Sequence, residues 1–168
     1  MILAASTLTL TLGSRRLTVP AFEAAAGEAL CFVPPRDGMG SDTALARVLA
    51  TLRNPAAGRV TLFGEEVARL DYMALLALRP RLGFVPGQGG LLSNRSLREN
   101  VALPVSVHQK HDLPRVNDTL AAFELLESAE KRPHEVDGAT RFRALAARAV
   151  VLSPALMVVE GTGDFEAD

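Results

Sequence analysis

Residues Gly38, Gly40, Ser41, Asp42 and Thr43 carry the clearest chemistry in this chain of 168 residues. Two glycines separated by one residue, then small hydroxyl and carboxylate side chains, suit a turn whose backbone N–H groups face an anion. The phosphate-cradling pattern G-x-x-x-x-G-K-[ST] runs in register from Pro35 to Asp42. In that register Pro35 stands for the first glycine, Ser41 for the lysine and Asp42 for the hydroxyl residue. The backbone means of holding a phosphate is kept, the cation is lost, and a carboxylate is added beside it. A unit-charge contact at about 4 Å is worth about 4 kcal/mol at an effective dielectric of ~20. Losing one attraction and gaining one repulsion, each a third of that size, weakens binding on the order of 100-fold.

Such a cradle needs a strand to deliver it and a helix to receive it. Residues 29–33, Ala-Leu-Cys-Phe-Val, are a continuous apolar block that predicts a buried parallel strand, with Cys31 as a buried thiol. Leu45, Val48, Leu49 and Leu52 follow at i, i+3, i+4 and i+7, which predicts a helix with one apolar face.

The remaining elements frame that unit. Residues 7–12 alternate threonine and leucine, the pattern of a half-buried antiparallel strand. Gly13-Ser14 turns the chain, and residues 16–22 predict a returning strand at a sheet edge, marked by Pro20. Further strands are predicted at 59–63 and 82–85, and a short helix at 72–78 stopped by Pro80. Residues 86–90, Pro-Gly-Gln-Gly-Gly, are a loop. Ser96 and Glu99 fit a capping box for the helix running to Leu103, and residues 105–114 read as a polar linker. Val116, Leu120 and Phe123 line one helix; Phe142, Leu145, Ala146, Ala149 and Leu152 line another, with Arg141, Arg143 and Arg148 on its solvated side. A last buried strand at 156–159 ends in Glu160, ahead of an acidic, glycine-rich tail.

Composition narrows the function classes. Apolar residues make up 48% of the chain, enough for a folded core. A formal charge of −1 gives nucleic acid and anionic lipid no electrostatic reason to bind. The single cysteine rules out a disulfide framework and a cysteine-based metal site. His108, His111 and His134 lie in polar surroundings and read as solvated loop histidines. No run approaches the ~18 apolar residues of a membrane span, and the N-terminus lacks the basic start of a signal peptide. A cytoplasmic protein is expected.

Four spans carry a family resemblance through shared order and spacing: Ala26-Gly27-Glu28; Asn54-Pro55 to Gly64; Leu97-Arg98-Glu99-Asn100-Val101-Ala102-Leu103-Pro104; and Ala147-Arg148-Ala149 followed by Pro154. Together they resemble the ATP-binding subunit of ABC transporters, closest to its lipid-trafficking, Mla-type branch, from about residue 7 to residue 164. The resemblance implies an α/β, P-loop NTPase-like (ABC ATPase-like) fold. It would have a mostly parallel sheet, an N-terminal antiparallel β edge and a helical subdomain at about residues 88–140. One domain over 1–168 is expected, with the C-terminal part of the family domain missing, because the switch histidine would fall past Asp168.

The family's functional motifs depart from their pattern here. Its signature L-S-G-G-Q falls on Val136-Asp137-Gly138-Ala139-Thr140, its magnesium-organising aspartate on Glu160 and its catalytic glutamate on Gly161. The glutamine loop falls on Gly87, with Gln88 one place late, and the adenine-stacking aromatic falls near Leu12. The resemblance therefore implies no catalytic residue, no resident metal, and either no cofactor or weakly held ATP with magnesium. It implies a degenerate, non-hydrolytic subunit that binds an ABC permease subunit, a second ATP-binding subunit or a second copy of itself. Residues 87–104 would form the docking surface, with Leu91, Leu92 and Leu97 either on that surface or in the core. Attachment would be peripheral, on the inner face of the cytoplasmic membrane. The other reading is a divergent but active ATPase subunit that drives lipid transport.

Overall fold

The computed structural model describes residues 1–33, 40–108 and 113–161, with the side chains of Ser41, Asp42 and Leu113 outside the description. The chain divides into two compact units, Met1–Arg79 with Val158–Asp168, and Pro80–Met157.

In the first unit, the Leu/Thr alternation becomes β2 (Leu8–Leu12), preceded by β1 (Leu3–Ala5). Leu8 and Leu10 are fully buried while the intervening threonines are half-exposed, as a two-residue period requires. β3 (Arg15–Val19) returns antiparallel, pairing Leu8 with Val19 and Leu12 with Arg15. The single returning strand expected over 16–22 is in fact two. Pro20 offers no N–H to a ladder, so β3 stops before it, and β4 (Phe22–Ala24) joins a different sheet. That sheet has the order β4-β1-β5-β6, where β5 is Val60–Leu62 and β6 is Glu65–Glu66, and all its pairs are antiparallel. β1 has no counterpart in the sequence reading, because Leu-Ala-Ala has low strand propensity and is drawn into the sheet by neighbours on both sides.

The apolar block at 29–33 corrects the central expectation. It adopts no regular structure; Cys31 is exposed, and Leu30 and Val33 are 55% and 79% exposed. The block joins none of the three sheets found among the described residues. After β4 the chain turns, with Ala25 N–H donating to Glu28 Oε2 (2.8 Å).

α1 (Ser41–Leu49) packs Ala44, Leu45 and Val48 inward and lies against β2. It ends in a Schellman arrangement: Thr51 N–H reaches Val48 O (3.1 Å) and Leu52 N–H reaches Arg47 O (2.9 Å). Leu52 therefore lies past the cap and is exposed, not on the apolar face its spacing suggested. Thr51 takes the left-handed position, φ 60°, which glycine usually fills. α2 (Tyr72–Leu78) forms over the expected residues, its N-terminus capped by Asp71 on Ala74 N–H (2.8 Å).

The second unit begins with β7 (Leu82–Val85), hydrogen-bonded to β8 (Leu156–Val159). Three helices build its core: α3 (Leu97–His108), α4 (Leu113–Ala122) and α5 (Gly138–Val150). Leu97, Val101 and Val105 of α3 meet Val116 and Leu120 of α4, and Ala144 and Ala147 of α5. α3 outruns its expected end because Val105 continues the buried stripe beyond Pro104, so helix occupies part of the expected polar linker. α5 is rotated from its expected face: Ala144, Leu145 and Ala147 are buried and Phe142 is 43% exposed. Alanines at the α3 contact allow a close approach that a phenylalanine would prevent. Arg143 and Arg148 are consequently half-buried rather than solvated.

Candidate functional site

The anion-binding residues expected from the sequence fall at the N-terminus of α1. Gly40 is its N-cap at φ 81°, ψ 4°, a left-handed conformation that glycine adopts without strain, and no side chain caps the first turn. The first-turn N–H groups of Ser41, Asp42 and Thr43 thus have no cap of their own, and Ala44 N–H opens the helical ladder on Gly40 O (3.1 Å). Gly38 lies outside the described residues, as do the side chains of Ser41 and Asp42, His111 and residues 162–168 of the acidic tail.

The same compact unit holds Glu160, directly after β8. It is 6% exposed, and its Oε2 is buried without a hydrogen-bond partner among the described residues. A buried carboxylate oxygen of this kind fits a cation. Gly161 follows and presents only hydrogen.

In the second unit, Asp137 has a defined task. Its Oδ1 accepts from Thr140 N–H (2.7 Å) and its Oδ2 from the Thr140 hydroxyl (3.1 Å), making it the N-cap of α5. Those bonds, the backbone one foremost, hold its carboxyl below the usual aspartate range. Gly138 opens the helix and is exposed. The D-x-x-T spacing at 137–140 is an N-cap signal in the sequence, masked there by the alignment to a signature motif.

The loop at 86–90 carries Gln88, which is exposed. Beyond it the leucines separate. Leu97 is fully buried on the α3 stripe and belongs to the core, which removes it from any docking surface. Leu91 is half-buried against that core, and Leu92 is 44% exposed. The expected capping box is present: Ser96 N–H donates to Glu99 Oε2 (2.8 Å) and Glu99 N–H to Ser96 Oγ (3.2 Å).

Two residues that sequence reasoning missed organise this segment. Asn100 is fully buried; its Oδ1 accepts from Leu92 N–H (2.7 Å), and its Nδ2 donates to the carbonyls of Leu92 (3.1 Å) and Ser96 (2.9 Å). Arg148 Nη1 donates to Gly90 O (2.6 Å). The available signal for Asn100 was an amide interrupting an apolar helix stripe, which must be satisfied if buried.

No family model matches the chain. An ATP-binding cassette solved as a dimer in a post-hydrolysis state with ADP and Pi superimposes with a TM-score of 0.81 at 22% identity, covering 94% of this chain and 73% of its own. A dimeric bacterial ABC transporter cassette gives 0.82 at 23% identity over the same shares. The fold is that of the ABC ATPase cassette, in the P-loop NTPase class. Among curated proteins, the methionine import ATP-binding protein MetN of Bifidobacterium longum is 30% identical over 126 residues, 73% of this chain and 31% of that protein. MetN 2 of Burkholderia mallei is 34% identical over 128 residues, 74% of this chain and 32% of its own. The chain spans about a third of the length of the curated relatives it matches. Over about three quarters of its length it is similar in sequence to these ATP-binding proteins.

In that setting the described residues fit part of a magnesium–ATP site. A phosphate would be held by the N–H groups at the start of α1, and the cation by Glu160. The cation would supply neutralisation of phosphate charge. No helix among the described residues is long and apolar enough to cross a membrane.

Proposed function

We propose that the chain is a degenerate, non-hydrolytic ATP-binding-cassette subunit that acts by binding a permease subunit or a second ATP-binding subunit. The observation that carries this reading is the end of β8. There Gly161, the residue after Glu160, has nothing with which to take a proton from water. Ser41 in place of lysine and Asp42 beside it weaken phosphate binding further. The commitment of Asp137 to capping α5 supports the same reading, because that carboxylate is engaged within its own helix.

The docking surface is residues 87–104, led by Leu92, with peripheral attachment to the inner face of the membrane through the permease. The relatives are named for methionine import, which favours a small amino acid over a lipid as the cargo; the lipid-trafficking branch has no counterpart among them. A second reading, a divergent active ATPase subunit, is favoured by the uncapped α1 terminus and the orphaned Glu160 oxygen.

Calorimetric titration with magnesium–ATP separates the two: weak or absent binding supports the first and micromolar binding the second. For the docking surface, Leu92→Asp is expected to abolish co-purification with the permease while leaving the melting temperature near wild type. Retained co-purification by the folded variant would remove Leu92 from the interface.

A further inference from the structure

The glycine loop is held at its exit by two different helices. Arg148 on α5 places Nη1 on Gly90 O at 2.6 Å, and its half-buried guanidinium takes no part in the four ion pairs found among the described residues. Burial pushes this guanidinium below its ordinary range, consistent with a cation whose main compensation is a carbonyl. Gly90 lies tight against the same helix: at φ 92°, a Cβ there would meet Leu145 Cδ2 at 3.0 Å and Pro86 Cγ at 2.6 Å. Two residues on, the Asn100 amide of α3 holds both the N–H and the carbonyl of Leu92. Upstream, Gln88 and Gly89 are exposed.

We propose that Arg148 is a positioning residue, a latch tying the exit of the glycine loop to α5. Segment 90–96 then moves with the helices, and conformational freedom is confined to residues 86–89. A displacement of α5 is carried through Gly90 to the exposed Leu92, so the latch sets where that side chain is presented. This inference stands on geometry within one compact unit and does not rest on the functional reading above.

NMR-detected amide exchange on the full chain tests it, with Leu92 N–H as reporter. Arg148→Met keeps the aliphatic stem and removes the donor. Leu92 exchange is expected to rise about tenfold, with Val101 and Val105 unchanged. Arg148→Lys, which can reach the same carbonyl, is expected to restore part of the protection. Gly90→Ala attacks the contact from the loop side, keeps the test open should Arg148→Met not fold, and is expected to loosen Leu92 in the same way. Unchanged Leu92 exchange in the folded variants overturns the proposal. So does a uniform rise across α3 and α5, or a lysine variant no better than methionine, since either would make Arg148 a packing residue only.

Discussion

The N-termini of α1 and α5 present the same four unsatisfied N–H groups and resolve them in opposite ways. At α5 the chain supplies its own acceptor: Asp137 caps Thr140 with both carboxylate oxygens. At α1 the cap is Gly40, which supplies none. The difference teaches that two helices of one chain can treat the same backbone donors differently, one with a carboxylate and one with a glycine.

The largest expected effect reverses the charge at the glycine-capped end. Ser41→Lys with Asp42→Ser should tighten ATP binding at least tenfold, about 1.4 kcal/mol, without restoring hydrolysis. An unchanged calorimetric affinity would mean that α1 does not receive phosphate, and the contrast with α5 would lose its functional meaning. Next, Asp137→Ala opens the closed end. The melting temperature should fall by a few degrees and Thr140 amide exchange should accelerate, whereas Asp137→Ser, another good cap, should recover most of the loss.

A smaller effect belongs to the other end of α1. Thr51 sits at φ 60° in a position suited to glycine, with a buried Oγ1 that has no hydrogen-bond partner among the described residues. Thr51→Gly should stabilise the fold by about half a kcal/mol after the lost methyl contacts are counted, measured by urea denaturation. The smallest effect is in pH. The Asp137 carboxyl is held low in the folded state by the Thr140 N–H. Its contribution is therefore complete above the unfolded carboxylate value, about 4, and is lost as pH falls through the folded value. Asp137→Asn should flatten that acid limb slightly; an identical limb would mean that other carboxylates set it.

Local rules made much of this readable. The period of Leu8 and Leu10, the Ser96–Glu99 box, the β7 run and the Pro80 stop each depend on near neighbours and appear where the sequence puts them. The carboxylate and glycine after β8 were equally legible, being fixed to the end of one short strand. What failed needed distant partners. The 29–33 block has the right residues for a buried strand, but burial depends on pairing with distant strands, and it joins none of the described sheets. Leu97 could not be separated from Leu92 by type; only the α3 stripe assigns one inward and the other outward. Asn100 and Arg148 act on backbone carbonyls eight and 58 residues away, contacts with no signature in spacing.

The central proposal is that this domain does not hydrolyse ATP, because Gly161 follows the carboxylate of Glu160. Phosphate release from millimolar magnesium–ATP measures it directly, with Glu160→Ala alongside the wild type. The account predicts wild-type release no faster than the buffer blank across pH 6 to 9, and no change on Glu160→Ala. A turnover that saturates with ATP and disappears in Glu160→Ala would contradict it.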